Sequence, residues 1–133
     1  MPTRDTDIGW PTVDGVKVYI EEVDCSGGGT AETEALCTLA ADSMILEIAT
    51  LCTEAFDGDT TKTFEVGVSG NTDKYIDPVD CPVTLNGTMS MVGGTNNDQQ
   101  SAEAVGASTA LIATWTNTAS ATAGKMKVFV IYI

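Results

Sequence analysis

Lys125-Met126-Lys127-Val128-Phe129-Val130-Ile131-Tyr132-Ile133 is the stretch that decides the fold. It reads as an apolar strand running to the final residue. An end this hydrophobic aggregates when exposed, so it must be paired inside a sheet and covered by other strands. The expectation is a chain that closes its fold with its own C-terminus and leaves no tail for tethering or targeting. Just upstream, Thr114-Trp115-Thr116-Asn117-Thr118-Ala119-Ser120-Ala121-Thr122-Ala123-Gly124 is small, polar and turn-forming. It suits a hairpin of an all-β sandwich better than a catalytic loop.

Working back along the chain, residues 63–69 alternate cleanly. Phe64, Val66 and Val68 point one way, and Glu65, Gly67 and Ser69 the other. Residues 44–56 form the longest structured stretch, with Met44, Leu46, Ile48 and Cys52 on one face. Ile45, Glu47, Ala49, Leu51 and Thr53 take the other. Both faces are rather apolar, as in a central strand buried on two sides or beside a subunit contact. Val16, Val18 and Ile20 alternate with Lys17, Tyr19 and Glu21 in a first strand, and residues 32–39 lean to strand. Asp57-Gly58-Asp59-Thr60-Thr61 reads as a turn joining antiparallel strands, and Gly70-Asn71 as another. Residues 73–77 make a short excursion before Pro78 and Pro82. Val83, Leu85, Met89 and Met91 give a further strand bulged at Asn86-Gly87, residues 93–104 a long polar loop, and residues 109–118 the penultimate strand.

Seven or eight short strands with no long helix predict an all-β fold: a single-domain antiparallel β-sandwich, jelly-roll-like in topology. Residues 1–15 read as an extended N-terminal arm, and residues 16–133 as the sandwich. In the arm, Ile8, Trp10 and Pro11 stand among Asp5, Asp7 and Asp14. A tryptophan in such a setting inserts somewhere, on its own domain or on a neighbour. Ile8 and Trp10 are therefore the candidate partner-contact residues.

The 133 residues carry 6 Lys+Arg against 19 Asp+Glu, a formal charge of -13. That surface repels phosphate backbones and anionic headgroups, so neither nucleic acid nor a membrane surface is the expected partner. It also favours solubility at high copy number. Disorder is the rival reading of an acidic chain, but 43% of the residues are hydrophobic and fall in strand-length blocks. No apolar run approaches the ~20 residues of a membrane helix, and residues 1–7 lack the apolar core of a signal peptide. Cys25, Cys37, Cys52 and Cys81 contain no Cys-x-x-Cys pair. Buried free thiols in a reducing compartment are the plain reading, with a single later disulfide left open.

Histidine is absent, which removes Ser/His/Asp and Cys/His catalysis and the commonest metal ligand. A cysteine nucleophile needs nearby cations, which are scarce here. No carboxylate pair stands out from so many acids, and no cofactor is expected. The residues around Gly27-Gly28-Gly29 lack the Gly-Lys-Ser/Thr of a phosphate loop. Asp57 and Asp59, or Asp73, Asp77 and Asp80, offer oxygen ligands for calcium, but neither group has EF-hand spacing. A carbohydrate-binding or adhesin module of a tail or fibre is the alternative from another class; it would need Tyr75 and one tryptophan as exposed stackers.

Four pieces carry a family likeness: Glu54-Ala55-Phe56-Asp57-Gly58; Thr63-Phe64-Glu65-Val66-Gly67-Val68-Ser69-Gly70-Asn71-Thr72-Asp73-Lys74-Tyr75; Ala110-Leu111-Ile112-Ala113-Thr114; and Ala121-Thr122-Ala123-Gly124-Lys125-Met126-Lys127-Val128-Phe129-Val130. In order and character they resemble small β-sandwich head proteins of tailed bacteriophages, over about residues 40–133. The resemblance implies a virion decoration or cement subunit, non-enzymatic and often trimeric. Its partner would be the major capsid protein, at the capsid surface after assembly in the host cytoplasm. The first forty residues lie outside the matching part, and no functional residue carries over singly.

Overall fold

The computed structural model describes residues 15–91, 103–118 and 120–133. Among them are nine strands: β1 (Lys17–Asp24), β2 (Gly29–Leu39), β3 (Met44–Glu54), β4 (Lys62–Val68), β5 (Asn71–Ile76), β6 (Met89–Met91), β7 (Glu103–Ala104), β8 (Thr109–Asn117) and β9 (Lys125–Tyr132). Residues 1–14 of the expected arm, with Ile8 and Trp10, lie outside the described residues, as do residues 93–102 of the expected polar loop. The segment read as an excursion is a strand, β5, and the end of the polar loop is another, β7. The strand expected over residues 83–91 is reduced to β6. Pro82 and the positive φ of Gly87 (85°) keep the preceding stretch irregular.

Two antiparallel sheets face each other. Sheet A runs β1-β9-β3-β6, with β7 also pairing β3; sheet B runs β2-β8-β4-β5. Apart from the β4–β5 hairpin, turned at Gly70 (φ 87°), and the β6–β7 pair, each strand is followed by one in the opposite sheet. That alternation is the strand order of a jelly roll. It corrects two expectations. The Asp57 turn and the segment 118–124 do not close hairpins: each carries the chain from one sheet to the other.

β9 sits inside sheet A, paired with β1 from Lys125↔Asp24 to Tyr132↔Lys17 and with β3 on its other side. The hydrophobic C-terminal strand is thus hydrogen-bonded along both edges, as its composition demands. Met126, Val128 and Val130 enter the core at 0% exposure. Sheet B meets them with Phe64, Val66, Leu111, Ala113 and Trp115, and Phe64 stands directly opposite Trp115 in register. Full burial of each large aliphatic or aromatic side chain contributes about 1.5–3 kcal/mol.

β3 does not keep one phase. Ile48, Thr50 and Cys52 face the core, as does Ile45, while Met44 and Leu46 do not. The cause is a bulge: Tyr132 pairs with Ile45 but Ile131 with Glu47, leaving Leu46 as the extra residue. The simple two-face assignment of residues 44–56 therefore fails at its first three residues.

Candidate interaction surface

Several of the candidates for chemistry are engaged in holding the fold. Asp57 accepts hydrogen bonds from the Thr122 N–H (2.8 Å), the Thr122 hydroxyl (2.7 Å) and the Ala123 N–H (2.9 Å). These bonds, led by the Thr122 hydroxyl, hold its carboxyl below the usual range. Asp59 accepts from Ser120, and Asp77 from the Val79 N–H. Among the described residues no group of three or more acids or cysteines is placed to hold a metal ion. All four cysteines are free thiols. Burial pushes Cys81 up to about 12 and raises Cys25, Cys37 and Cys52 as well, the opposite of what a nucleophile needs. Tyr75, expected as an exposed sugar stacker, is 1% exposed, and Trp115 is 9% exposed. The described residues therefore hold no aromatic platform at either position.

One polar side chain missed in the sequence organises an end of the sandwich. Asn117, fully buried at the end of β8, accepts from the Gly58 N–H (2.9 Å). Its amide donates to the carbonyls of Cys25 (2.9 Å) and Ala123 (2.8 Å). Three crossover loops are joined at one amide. Gly58 must be glycine here, since a Cβ would come within 2.5 Å of the Thr118 nitrogen.

The outer faces of the two sheets differ in kind. On sheet B, Thr33, Thr114 and Glu65 form one row and Thr63 and Thr116 another. Thr72 donates to Glu65. This face is mainly hydroxylic, though the neighbouring row is Ala35, Ile112 and Gly67, and Thr114 is itself buried with no partner for its hydroxyl among the described residues. On sheet A, Ile20, Phe129, Ala49 and Met91 lie in one row across all four strands. The next row is Glu22, Lys127, Leu51 and Met89, and below the first lie Val18, Ile131 and Glu47, so charged side chains border the apolar row. Val18 (57%), Ile20 (54%), Met89 (54%) and Met91 (47%) are exposed. In β1 the alternation thus works in reverse, with Tyr19 and Val23 packed inward and the aliphatic Val18 and Ile20 outward. Contiguous apolar surface of this kind marks a contact surface.

At the open edge between the sheets, β1 and β2 bring two carboxyls together. Glu34 hydrogen-bonds Glu21, which also accepts from Tyr19. The bond to Glu21, then burial, raises Glu34 to about 7, while the same bond lowers Glu21. Glu34 thus holds its proton to higher pH than an ordinary carboxyl, while Glu21 gives its own up more readily. Because folding raises the Glu34 value above its unfolded one, its contribution is full below about pH 4.5 and is lost as pH rises through about 7. Screening at this half-exposed position reduces the effect to about 1 kcal/mol. Glu34→Gln keeps a donor to Glu21 and does not titrate. Its unfolding midpoint, equal to the wild type's near pH 5, is expected to exceed it by pH 8; parallel pH curves would refute the raised Glu34 carboxyl.

The strand order and core define a jelly-roll β-sandwich, and among the described residues exposed apolar side chains gather on the outer face of sheet A. No protein-family model matches the chain, and no curated protein matches it. Solved structures do. One chain of the cyanophage Pam1 capsid asymmetric unit superposes with a TM-score of 0.68 at 20% identity, covering 99% of this chain and 98% of that one. A chain of the acid-stable capsid of Helicobacter pylori bacteriophage KHP30 gives 0.63 at 9% identity, covering 90% and 87%. A chain of the Ralstonia phage GP4 capsid gives 0.52 at 14%, covering 92% and 88%. At these identities the likeness is one of fold, over nearly the whole length of each chain.

Proposed function

We propose that this chain is a non-enzymatic structural subunit of a phage virion, a decoration or cement protein on the outer surface of the head. Its partner is the major capsid protein, and it bridges capsomers as a homo-oligomer, with a trimer favoured. It assembles in the host cytoplasm and ends at the capsid surface. The observation that carries the reading is the apolar outer face of sheet A, set on a fold shared with chains of three phage capsids. A cement subunit binds many identical sites through area, and symmetry multiplies weak contacts by avidity. The arm, residues 1–15 with Ile8 and Trp10, supplies the second contact, on a neighbouring subunit or the shell.

Shells lacking the protein, incubated with purified subunit and sedimented, test this. The double variant Ile20→Asp, Met89→Asp changes exposed side chains only, so the fold survives. Its occupancy is expected to fall at least about tenfold, the effect of some 1.4 kcal/mol per site. Wild-type occupancy by the double variant would exclude sheet A as the attachment surface. Unchanged occupancy after deletion of residues 2–12 would remove the arm from attachment.

A further inference from the structure

We propose that Asn86-Gly87, in the turn before β6, is a self-modification site that the folded chain keeps locked and that opening of the β6 edge releases. Of the asparagines in the sequence, only Asn86 is followed by glycine, and both residues are exposed. A following glycine puts no side chain in the way of its own nitrogen. The reaction needs nothing but water. The Gly87 nitrogen loses its proton and bonds to the Asn86 side-chain carbon. The bond from that carbon to its amino group breaks, and ammonia leaves with the proton. The five-membered imide so formed then takes up a water molecule. Opening on the side-chain side gives an aspartate with a normal backbone. Opening on the other side gives isoaspartate, whose backbone runs through the former side chain and is a carbon longer.

The folded chain keeps the two reacting groups apart. Asn86 Oδ1 accepts from the Ala55 N–H at 2.6 Å, which pins the side chain beside the end of β3. The Gly87 N–H donates to the Cys52 carbonyl at 2.7 Å. Hydrogen bonding of the neutral N–H disfavours its ionised form. The lone pair that proton loss uncovers lies where the N–H pointed, so it faces Cys52 and not the Asn86 side chain. Gly87 holds φ at 85°, a backbone shape natural to glycine. The residue that makes the site reactive is thus the one the turn requires.

The lock is local. Cys52 donates its N–H back to the Thr88 carbonyl (2.9 Å). Thr88 closes the turn on the Leu85 carbonyl through its N–H (3.3 Å) and its hydroxyl (2.6 Å). Beyond the turn, β6 is three residues long and, among the described residues, pairs with β3 alone. Edge elements held by so few bonds open far more often than a core does. Opening frees the side chain and the nitrogen together, and isoaspartate then makes it permanent. The added carbon moves Gly87 and Thr88 off Cys52, so Met89, Ser90 and Met91 lose their register with Leu51, Thr50 and Ala49. This chemistry belongs to the chain itself and does not depend on the capsid reading.

Peptide mapping of isoaspartate at residue 86, in full-length chain aged at mildly alkaline pH, tests it. The folded wild type is expected to form it at least about tenfold more slowly than the same chain in urea. Thr88→Val removes the hydroxyl bond that closes the turn. It is expected to speed the folded-state reaction about fivefold while leaving the thermal midpoint little changed. Isoaspartate-containing chains, separated by their added charge, are expected to exchange the amides of residues 89–91 faster than wild type. Asn86→Asp carries the same charge on a normal backbone, still offers Ala55 an acceptor, and is expected to keep slow exchange there. Equal rates in folded and urea-unfolded chains overturn the proposal. So does a Thr88→Val rate equal to wild type, or amide exchange in β6 that isoaspartate leaves unchanged.

Discussion

Replacing Asn117 with alanine is expected to lower the unfolding free energy by about 3 kcal/mol and the thermal midpoint by roughly 10 °C. The substitution removes three hydrogen bonds at once, from the Gly58 N–H and to the carbonyls of Cys25 and Ala123. Each such bond contributes about 1 kcal/mol net, and the buried groups left behind add a desolvation penalty. The three loops come from different parts of the chain, 59 and 92 residues away in two of the contacts, so no local rearrangement replaces all of them. Asn117→Asp sharpens the test. It keeps the shape but turns an oxygen toward two carbonyls, and ionisation at a fully buried site adds further cost. It is expected to be less stable than Asn117→Ala at pH 7 and to recover part of the difference near pH 4. Chemical denaturation at the two pH values reads both effects. A midpoint within 2–3 °C of wild type for Asn117→Ala, a change worth less than about 1 kcal/mol, would show that the loops are held by other means.

Much of the fold was legible because a two-residue period survives any choice of partner strand. β4, β8 and β9 announce themselves through Phe64-Val66, Leu111-Ala113-Trp115 and Val128-Val130, and all of these are buried where the pattern places them. The identity of the partners was not legible. A turn such as Asp57-Gly58-Asp59 serves a hairpin or a crossover with the same residues, and only long-range pairing tells them apart. Asn117 was hidden for a related reason: in a run of threonines, alanines and serines nothing local marks the one amide that three loops share. The apolar outer face of sheet A was not legible, because the sequence reading left open which face of these strands is buried. In β1 and β6 the aliphatic Val18, Ile20, Met89 and Met91 occupy the outer positions, while Tyr19, Val23 and Ser90 turn inward. Alternation alone fixes the period and leaves the sign open. The excess of apolar residues on both faces of residues 44–56 was the trace of this surface that the sequence did carry.

That sign can be tested with one charge moved by one residue. Val130 is fully buried between the sheets, whereas Phe129 is half-buried on the outer face of sheet A, opposite Ile20 and Ala49. Val130→Asp places a carboxylate in an apolar core with no cation to meet it. Such a group shifts its own proton affinity by 3–5 units rather than stay charged, which at pH 7 costs about 4 kcal/mol, and the neutral carboxyl still loses its water. Loss of the buried valine adds about 1.5 kcal/mol. Set against a total stability of roughly 5–15 kcal/mol for a domain, the variant is expected to be largely unfolded at pH 7. Phe129→Asp loses only part of one aromatic contact, about 1–2 kcal/mol, and keeps a β-rich, cooperatively melting fold. Its cost falls on binding instead, because the new charge sits in the middle of the row that crosses sheet A. Circular dichroism melts and shell sedimentation on the two variants separate these outcomes. Two equally stable variants, or two equally unfolded ones, would mean that β9 does not divide the core from the contact face.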